Sequence, residues 1–268
     1  MTKRVVVILA VLLPLYLSAK STLDETVKKV VPAAGKTGIE LRTVNGYVEV
    51  STWDKDEVEI VAHKKVKTDD EDDARKYLSE LEIDIEDDEE VISIEVDFPN
   101  HKEKNDGFFS WIFSSGGVNS SVAFEIKVPR KFDVDIHSTN GNVLVNDCNG
   151  RIRLKTVNGK IRAEGVSGSV VAKSTNGKIK VYIKGLEPDE DMSLQTTNGS
   201  ITLDMPADID ADLEARTTNG KIDCDFTLKE EISAGKHHLE GTVNGGGALI
   251  YLKALNGNIY IQKSESDK

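Results

Sequence analysis

The chain is poor in cysteine, in helical patterning and in long apolar runs. It has two cysteines in 268 residues, Cys148 and Cys224, and five histidines, of which only His237 and His238 are close. Neighbours on a strand point to opposite faces, so no spacing completes a zinc site. Asp69–Ser79 is the one helix candidate, with an acidic start that suits a helix N-terminus. The apolar run Val5–Leu17 has thirteen residues, short of the roughly 20 that a spanning helix needs. Several chemistries lack their key residue. Gly35-Lys36-Thr37 has Val30 where a phosphate loop needs glycine. Asp208-Ile209-Asp210-Ala211-Asp212 has Leu213 and Asn219 where a calcium loop needs glycine and glutamate. Gly165-Val166-Ser167-Gly168 runs into Ser169 and makes no nucleophile elbow. These gaps argue against an enzyme, a resident metal and a cofactor.

What the chain has instead is a repeated Asn-Gly. Thr-x-Asn-Gly or Ser-x-Asn-Gly places asparagine at Asn140, Asn158, Asn176, Asn198, Asn219 and Asn244. Looser copies sit at Asn45 and Asn256. From Asn140 the spacings are 18, 18, 22, 21, 25 and 12, a near-fixed period of the kind solenoids show. A half-period of nine runs through Asn149 and Ser167, so each unit holds two short strands and two turns. Strict alternation phases them. Ile152, Leu154 and Thr156 share one face, and Ile161 and Ala163 resume it after the glycine. The opposite face is charged. One unit cannot bury its own apolar face, whereas stacking units about 4.8 Å apart does so. The pattern predicts an all-β fold, a parallel β-solenoid with a β-rich N-terminal part containing one short helix. The six asparagines of the full motif are expected to form a structural ladder, with Asn256 near its end and glycine permitting a positive φ at each corner. Cys148 and Cys224 then lie about four units apart, too far to bridge.

The N-terminus reads as a secretory signal over residues 1–19: Lys3 and Arg4, then the apolar run, then Leu17-Ser18-Ala19 before the cut. The expected location is extracytoplasmic, in the periplasm or at the cell surface. A charged lead-in covers 20–38, a β-rich part 39–130, the repeats 131–263 and a polar tail 264–268.

Three features taken together carry a resemblance. They are Asn45-Gly46-Tyr47-Val48-Glu49-Val50 followed by Trp53-Asp54-Lys55-Asp56, then Ile126-Lys127-Val128-Pro129, then the serial Thr-x-Asn-Gly-x-Ile. Over residues 36–263 the chain resembles the bacterial putative-adhesin family, domain of unknown function 4097. The resemblance implies a parallel β-solenoid of exported or envelope proteins, and it implies no catalytic residues.

Two features mark a binding surface. Between Arg151 and Lys184 there are nine basic residues and one acid, Glu164, in a chain of net charge −12. Arg151, Arg153, Lys155, Lys160, Arg162, Lys173, Lys178 and Lys180 all alternate with inward residues and are expected to form one outward stripe. Such crowding calls for a counter-charge: an anionic envelope polymer or lipid surface, or the protein's own Asp69–Asp97 segment with its fifteen acids. The second feature is an aromatic loop, Phe108, Phe109, Trp111, Ile112 and Phe113, read either as a membrane or partner contact or as a lid over a solenoid end. An envelope protein partner, with a scaffold or regulatory role in envelope-stress signalling, is the alternative to polymer binding. Self-association is compatible with both. Nucleic acid is disfavoured for an exported, acidic chain.

Overall fold

A computed structural model describes residues 21–88, 90–99 and 118–264. The signal segment 1–19 and the aromatic loop at 108–113 lie outside the described residues. In chain order the elements are β1 (Ser21–Pro32), β2 (Gly38–Asn45), β3 (Val48–Trp53), β4 (Glu57–Thr68), α1 (Glu71–Glu80), β5 (Glu82–Asp87), β6 (Val91–Asp97) and β7 (Asn119–Pro129). They continue with β8 (Asp133–Asn140), β9 (Val143–Asn146), β10 (Ile152–Asn158), β11 (Ile161–Ser167), β12 (Val170–Asn176), β13 (Ile179–Gly185), β14 (Met192–Asn198) and β15 (Ile201–Met205). The last are β16 (Ala211–Asn219), β17 (Ile222–Cys224), β18 (Lys229–Ala234), β19 (His238–Val243), β20 (Ala248–Asn256) and β21 (Ile259–Lys263).

The chain is mostly β, in two mixed sheets whose strands run mostly parallel. It alternates between them. From β8 to β17 every even strand lies in the eleven-stranded sheet and every odd strand in the ten-stranded one. One strand from each sheet makes a layer, and inward side chains of successive layers stack in register: Ile136, Leu154, Ala172, Leu194 and Leu252 on one wall, Val143, Ile161, Ile179, Ile201 and Ile259 on the other. All are buried, so each layer's apolar face is covered by its neighbours and by the facing sheet.

Layers do not stack in chain order. In the eleven-stranded sheet the order is β6-β2-β8 at one end and β14-β20-β16 at the other, and in the ten-stranded sheet it is β7-β3-β9 and β15-β21-β17. The first two layers are therefore exchanged, and so are the last two. The C-terminal layer β20/β21 is inserted between β14/β15 and β16/β17. Antiparallel strands cap both sheets at the β6/β7 end, β1 on β4 and β4 on β7 and β5 on β6, and cap the eleven-stranded sheet at the other end, β19 on β16 and β18 on β19, where β17 forms the edge of the ten-stranded sheet. This covers strand edges that a stack would otherwise expose. The segment read as a charged lead-in is mostly β1.

Helix α1 begins where the acidic sequence places it. Asp70 caps it, accepting from the N–H groups of Asp72 at 2.9 Å and Asp73 at 3.1 Å, and Glu71, Asp72 and Asp73 occupy the first turn, where the helix dipole favours negative charge. The helix packs on β1 and β4. Cys148 and Cys224 are both free. Cys148 follows β9 and Cys224 ends β17, five strand spacings away in the same sheet, or about 24 Å. Burial pushes the Cys148 thiol pKa up.

Candidate functional site

The seven layers β2/β3, β8/β9, β10/β11, β12/β13, β14/β15, β16/β17 and β20/β21 each turn from one sheet to the other at an Asn-Gly, and the turns stack. Asn140 Nδ2 donates to Asn45 Oδ1 at 2.9 Å, Asn158 to Asn140 at 2.8 Å and Asn176 to Asn158 at 2.9 Å. Asn198 donates to Asn176, Asn256 to Asn198 and Asn219 to Asn256, each at 2.8 Å. Six amide bonds thus link seven asparagines in one direction. The glycine N–H groups bond the other way, as in Gly159 N to Asn176 O at 3.2 Å and Gly177 N to Asn198 O at 3.0 Å. A third column comes from the inward hydroxyls, with Thr156, Ser174 and Thr196 donating to Gly141, Gly159 and Gly177 carbonyls.

This corrects the expected ladder in two places. Asn45 and Asn256 belong to it, Asn256 in its interior. Asn244 does not. Its φ is 51°, and its amide donates to Ala207 O at 3.2 Å and Ile209 O at 2.7 Å. It turns the chain from β19 into β20, helped by Asp210, whose Oδ1 accepts from Gly245 N at 2.7 Å. One sequence signal separates the two uses. Every ladder asparagine has an aliphatic residue three positions on, such as Ile201, Ile222 or Ile259, while Asn244 is followed by Gly245-Gly246-Gly247.

The ladder gives an expected ranking. Asn176→Ala and Asn256→Ala each remove two amide bonds, and Asn219→Ala, at the end, removes one. At about 0.5–1.5 kcal/mol per net bond, the first two should lower the melting temperature by similar amounts, about twice the shift of the third. Thermal melts of the three variants check this; equal shifts for all three would mean that the amides do not act as a ladder.

The eight expected basic residues do not form one stripe. Arg151, Arg153, Lys155 and Lys173 lie on or beside the outer face of the eleven-stranded sheet, while Arg162 and Lys180 lie on the ten-stranded sheet, on the opposite side of the molecule. Lys160 and Lys178 sit in the Asn-Gly turns between the two. Several are neutralised locally. Arg151 pairs with Asp133 at 2.6 Å, Arg153 with Asp135 at 2.8 Å, Lys180 with Asp204 at 3.1 Å, and Arg162 with Glu164. These partners are not in the Asp69–Asp97 segment. Burial alone would raise the Asp135 carboxyl, but hydrogen bonds from His137 and Arg153 outweigh it and hold it below the usual carboxylate range.

A different basic column emerges on the eleven-stranded sheet. Registers place Arg42, His137, Lys155, Lys173, Gln195, Lys253 and Arg216 side by side on successive strands. Each stands three residues before a ladder asparagine. Arg42 and Arg216 at the ends pair with Glu40 and Glu214. Lys155, Lys173 and Lys253 have no carboxylate partner among the described residues. Three ammonium groups with Gln195 between them span about 14 Å along the stack. They form one side of an open groove of about 610 Å³. Val157, Thr175, Thr197 and Leu255, each one residue before a ladder asparagine, form the other side. Its lining contains no Asp or Glu. Sequence reading missed Lys253, 80 residues beyond Lys173, and would have found it by aligning the copies on their asparagines.

These features define a class: mostly-β proteins built of two-strand layers joined by a hydrogen-bonded column of Asn-Gly turns. Within that class the family can be stated. The family model described as Toastrack DUF4097 matches residues 125–262, and the chain belongs to this family. Among solved structures it is similar to a putative cell adhesion protein from Clostridium sporogenes ATCC 15579, at 15% identity over 90% of this chain and 100% of that one, with a TM-score of 0.49. It is also similar to a putative adhesin from Bacteroides fragilis NCTC 9343, at 10% identity over 89% of this chain and 97% of that one, with a TM-score of 0.43. Comparison with curated proteins gave no match.

Proposed function

We propose that the protein is an exported, non-enzymatic β-solenoid with two strands per turn, and that it binds an anionic envelope polymer in the groove of its eleven-stranded sheet. The observation that carries this reading is the line of Lys155, Lys173 and Lys253, without a carboxylate partner among the described residues, in a chain of net charge −12. Charges about 5–10 Å apart lie within or near one screening length of about 8 Å at physiological salt. Their mutual repulsion is relieved by a linear polyanion laid along the stack. Thr175 and Thr197 add hydroxyls on the facing side for hydrogen bonds to its oxygens. A carboxylate-free lining does not supply the pair of acids that glycoside hydrolysis uses, so retention rather than cleavage is the reading supported. The signal pattern at residues 1–19 supports an extracytoplasmic location.

The test is the triple variant Lys155→Gln, Lys173→Gln, Lys253→Gln, measured against a polyuronate over a salt series. It should bind more weakly and with a flatter salt dependence, at an unchanged melting temperature. The double variant Arg162→Gln, Lys180→Gln, on the opposite face, should bind as the parent does. Full binding by the triple variant would remove the groove from the reading. Lost binding to anionic vesicles but not to the polymer would point to a lipid surface instead.

A further inference from the structure

The chain contains nine Asn-Gly pairs, a dipeptide with chemistry of its own. Glycine leaves its backbone nitrogen unshielded, and that nitrogen can attack the Cγ of the preceding asparagine side chain. The new N–C bond forms, the C–N bond of the amide breaks and ammonia leaves, giving a cyclic imide. Water then opens the imide to aspartate or isoaspartate. The net exchange is one water in and one ammonia out, with no oxidant or reductant. The reaction needs a glycine N–H without a partner and an asparagine amide free to turn.

The fold withholds both conditions from seven of the nine pairs. Gly46, Gly141, Gly159, Gly177, Gly199 and Gly257 each donate N–H to the carbonyl of the asparagine in the next layer, at 3.0–3.2 Å. Gly245 N donates to Asp210 Oδ1 at 2.7 Å. Asn149-Gly150 lies off the ladder, beyond the end of β9, and is not one of the stacked turns. On the ladder, Gly220 is the exception. Its turn ends the stack, and no further Asn-Gly lies beyond it. The covering chain bonds on either side, Thr217 N to His237 O at 2.9 Å and Ile222 N to Lys236 O at 3.1 Å. Between these bonds the Gly220 N–H has no acceptor among the described residues. Asn219 is exposed, and one amide bond holds it, to Asn256 Oδ1. Interior amides are held by two.

We infer that Asn219 is a deamidation site and that stacking protects the six other Asn-Gly pairs of the ladder. The product puts a carboxylate where Asn219 donated. It has no N–H for Asn256 Oδ1, so the last rung is lost and two oxygens face each other.

The test uses the full chain, folded in mildly alkaline buffer, sampled over time and peptide-mapped by mass spectrometry. The same chain unfolded in urea serves as the reference. In the folded protein Asn219 should convert at least about tenfold faster than Asn158 and Asn176, the factor that about 1.4 kcal/mol of activation free energy gives. In urea the three sites should convert at similar rates. Equal rates at Asn158, Asn176 and Asn219 in the folded chain would overturn the inference. So would an Asn219 that stays intact when folded for as long as the unfolded chain takes to convert.

Discussion

A chain stopped after Gly247 should fail to give a cooperative unfolding transition. In a stack ordered as the chain is ordered, removing the last layer costs one interface and leaves the rest standing. Here the last layer is interior. Cutting it out parts β14 from β16 and β15 from β17, and it breaks the ladder on both sides of Asn256. Ile250, Leu252, Ile259 and Ile261 are each fully buried. At about 1.5–3 kcal/mol per such side chain, the four are worth about 6–12 kcal/mol together, comparable with the whole stability of a domain at about 5–15 kcal/mol. The layer β16/β17 and the β18–β19 hairpin on it would also lose their seat. Hydrogen exchange on the intact chain tests the same point without a variant. The amides of Ile250, Leu252 and Ile261 should be protected as strongly as those of Leu154 and Ile161, rather than fraying as terminal layers do. A truncated chain that melts cooperatively near the parent's temperature, or early exchange at Ile250 and Leu252, would contradict the inserted layer.

The insertion was not legible in the sequence, and the reason is physical. Each Thr-x-Asn-Gly copy offers the same donors, acceptors and aliphatic wall, so any copy fits on any other. Nothing in the repeat itself says which neighbour it takes. The choice is made by the connections, above all by the turn at Asn244, whose three following glycines and Asp210 partner send β20 back into the stack. Local structure was legible. Alternation placed Ile152, Leu154 and Thr156 inward, as they are, and the helix over 69–79 lies within two residues of α1. The basic stripe shows where alternation stops. A period of two separates inside from outside, but the outside of one sheet and the outside of the other are opposite surfaces. A run of bases through β10, β11, β12 and β13 is therefore dealt out to both. The groove of Lys155, Lys173 and Lys253 is assembled across layers, from positions that share a place in the repeat and not a place in the run.

Glycine in the repeat has a different role from the one its turn position suggests, and Gly177→Ala should show it. A corner glycine is ordinarily read as a residue chosen for positive φ. Gly159 and Gly177 do not lie in that region. What excludes a side chain is the turn stacked next to them. A Cβ on Gly177 would sit 1.7 Å from Gly159 O, and one on Gly159 would sit 1.9 Å from Gly141 O. Both obstacles are backbone, held in place by the Asn and hydroxyl columns, so neither can swing aside as a flexible side chain would. Inserting a methyl into a packed site costs about 1–3 kcal/mol when neighbours can adjust. Here relief requires the two turns to part, which stretches Gly159 N to Asn176 O and the Asn176 to Asn158 rung as well. The expected loss for Gly177→Ala is at or above the top of that range. Gly185→Ala is the control, since a Cβ there meets nothing within 4 Å, and it should be neutral or stabilising by about 0.4–1 kcal/mol through the unfolded chain. Gly177→Asn separates the two explanations. Asparagine tolerates positive φ, so a conformational requirement would let it rescue much of the loss seen with alanine. A stacking requirement predicts that it is at least as damaging, because its Cβ meets the same carbonyl. Denaturant midpoints for Gly177→Ala, Gly177→Asn and Gly185→Ala decide between them, and a Gly177→Asn variant near parental stability would return the glycine to its role as a turn former.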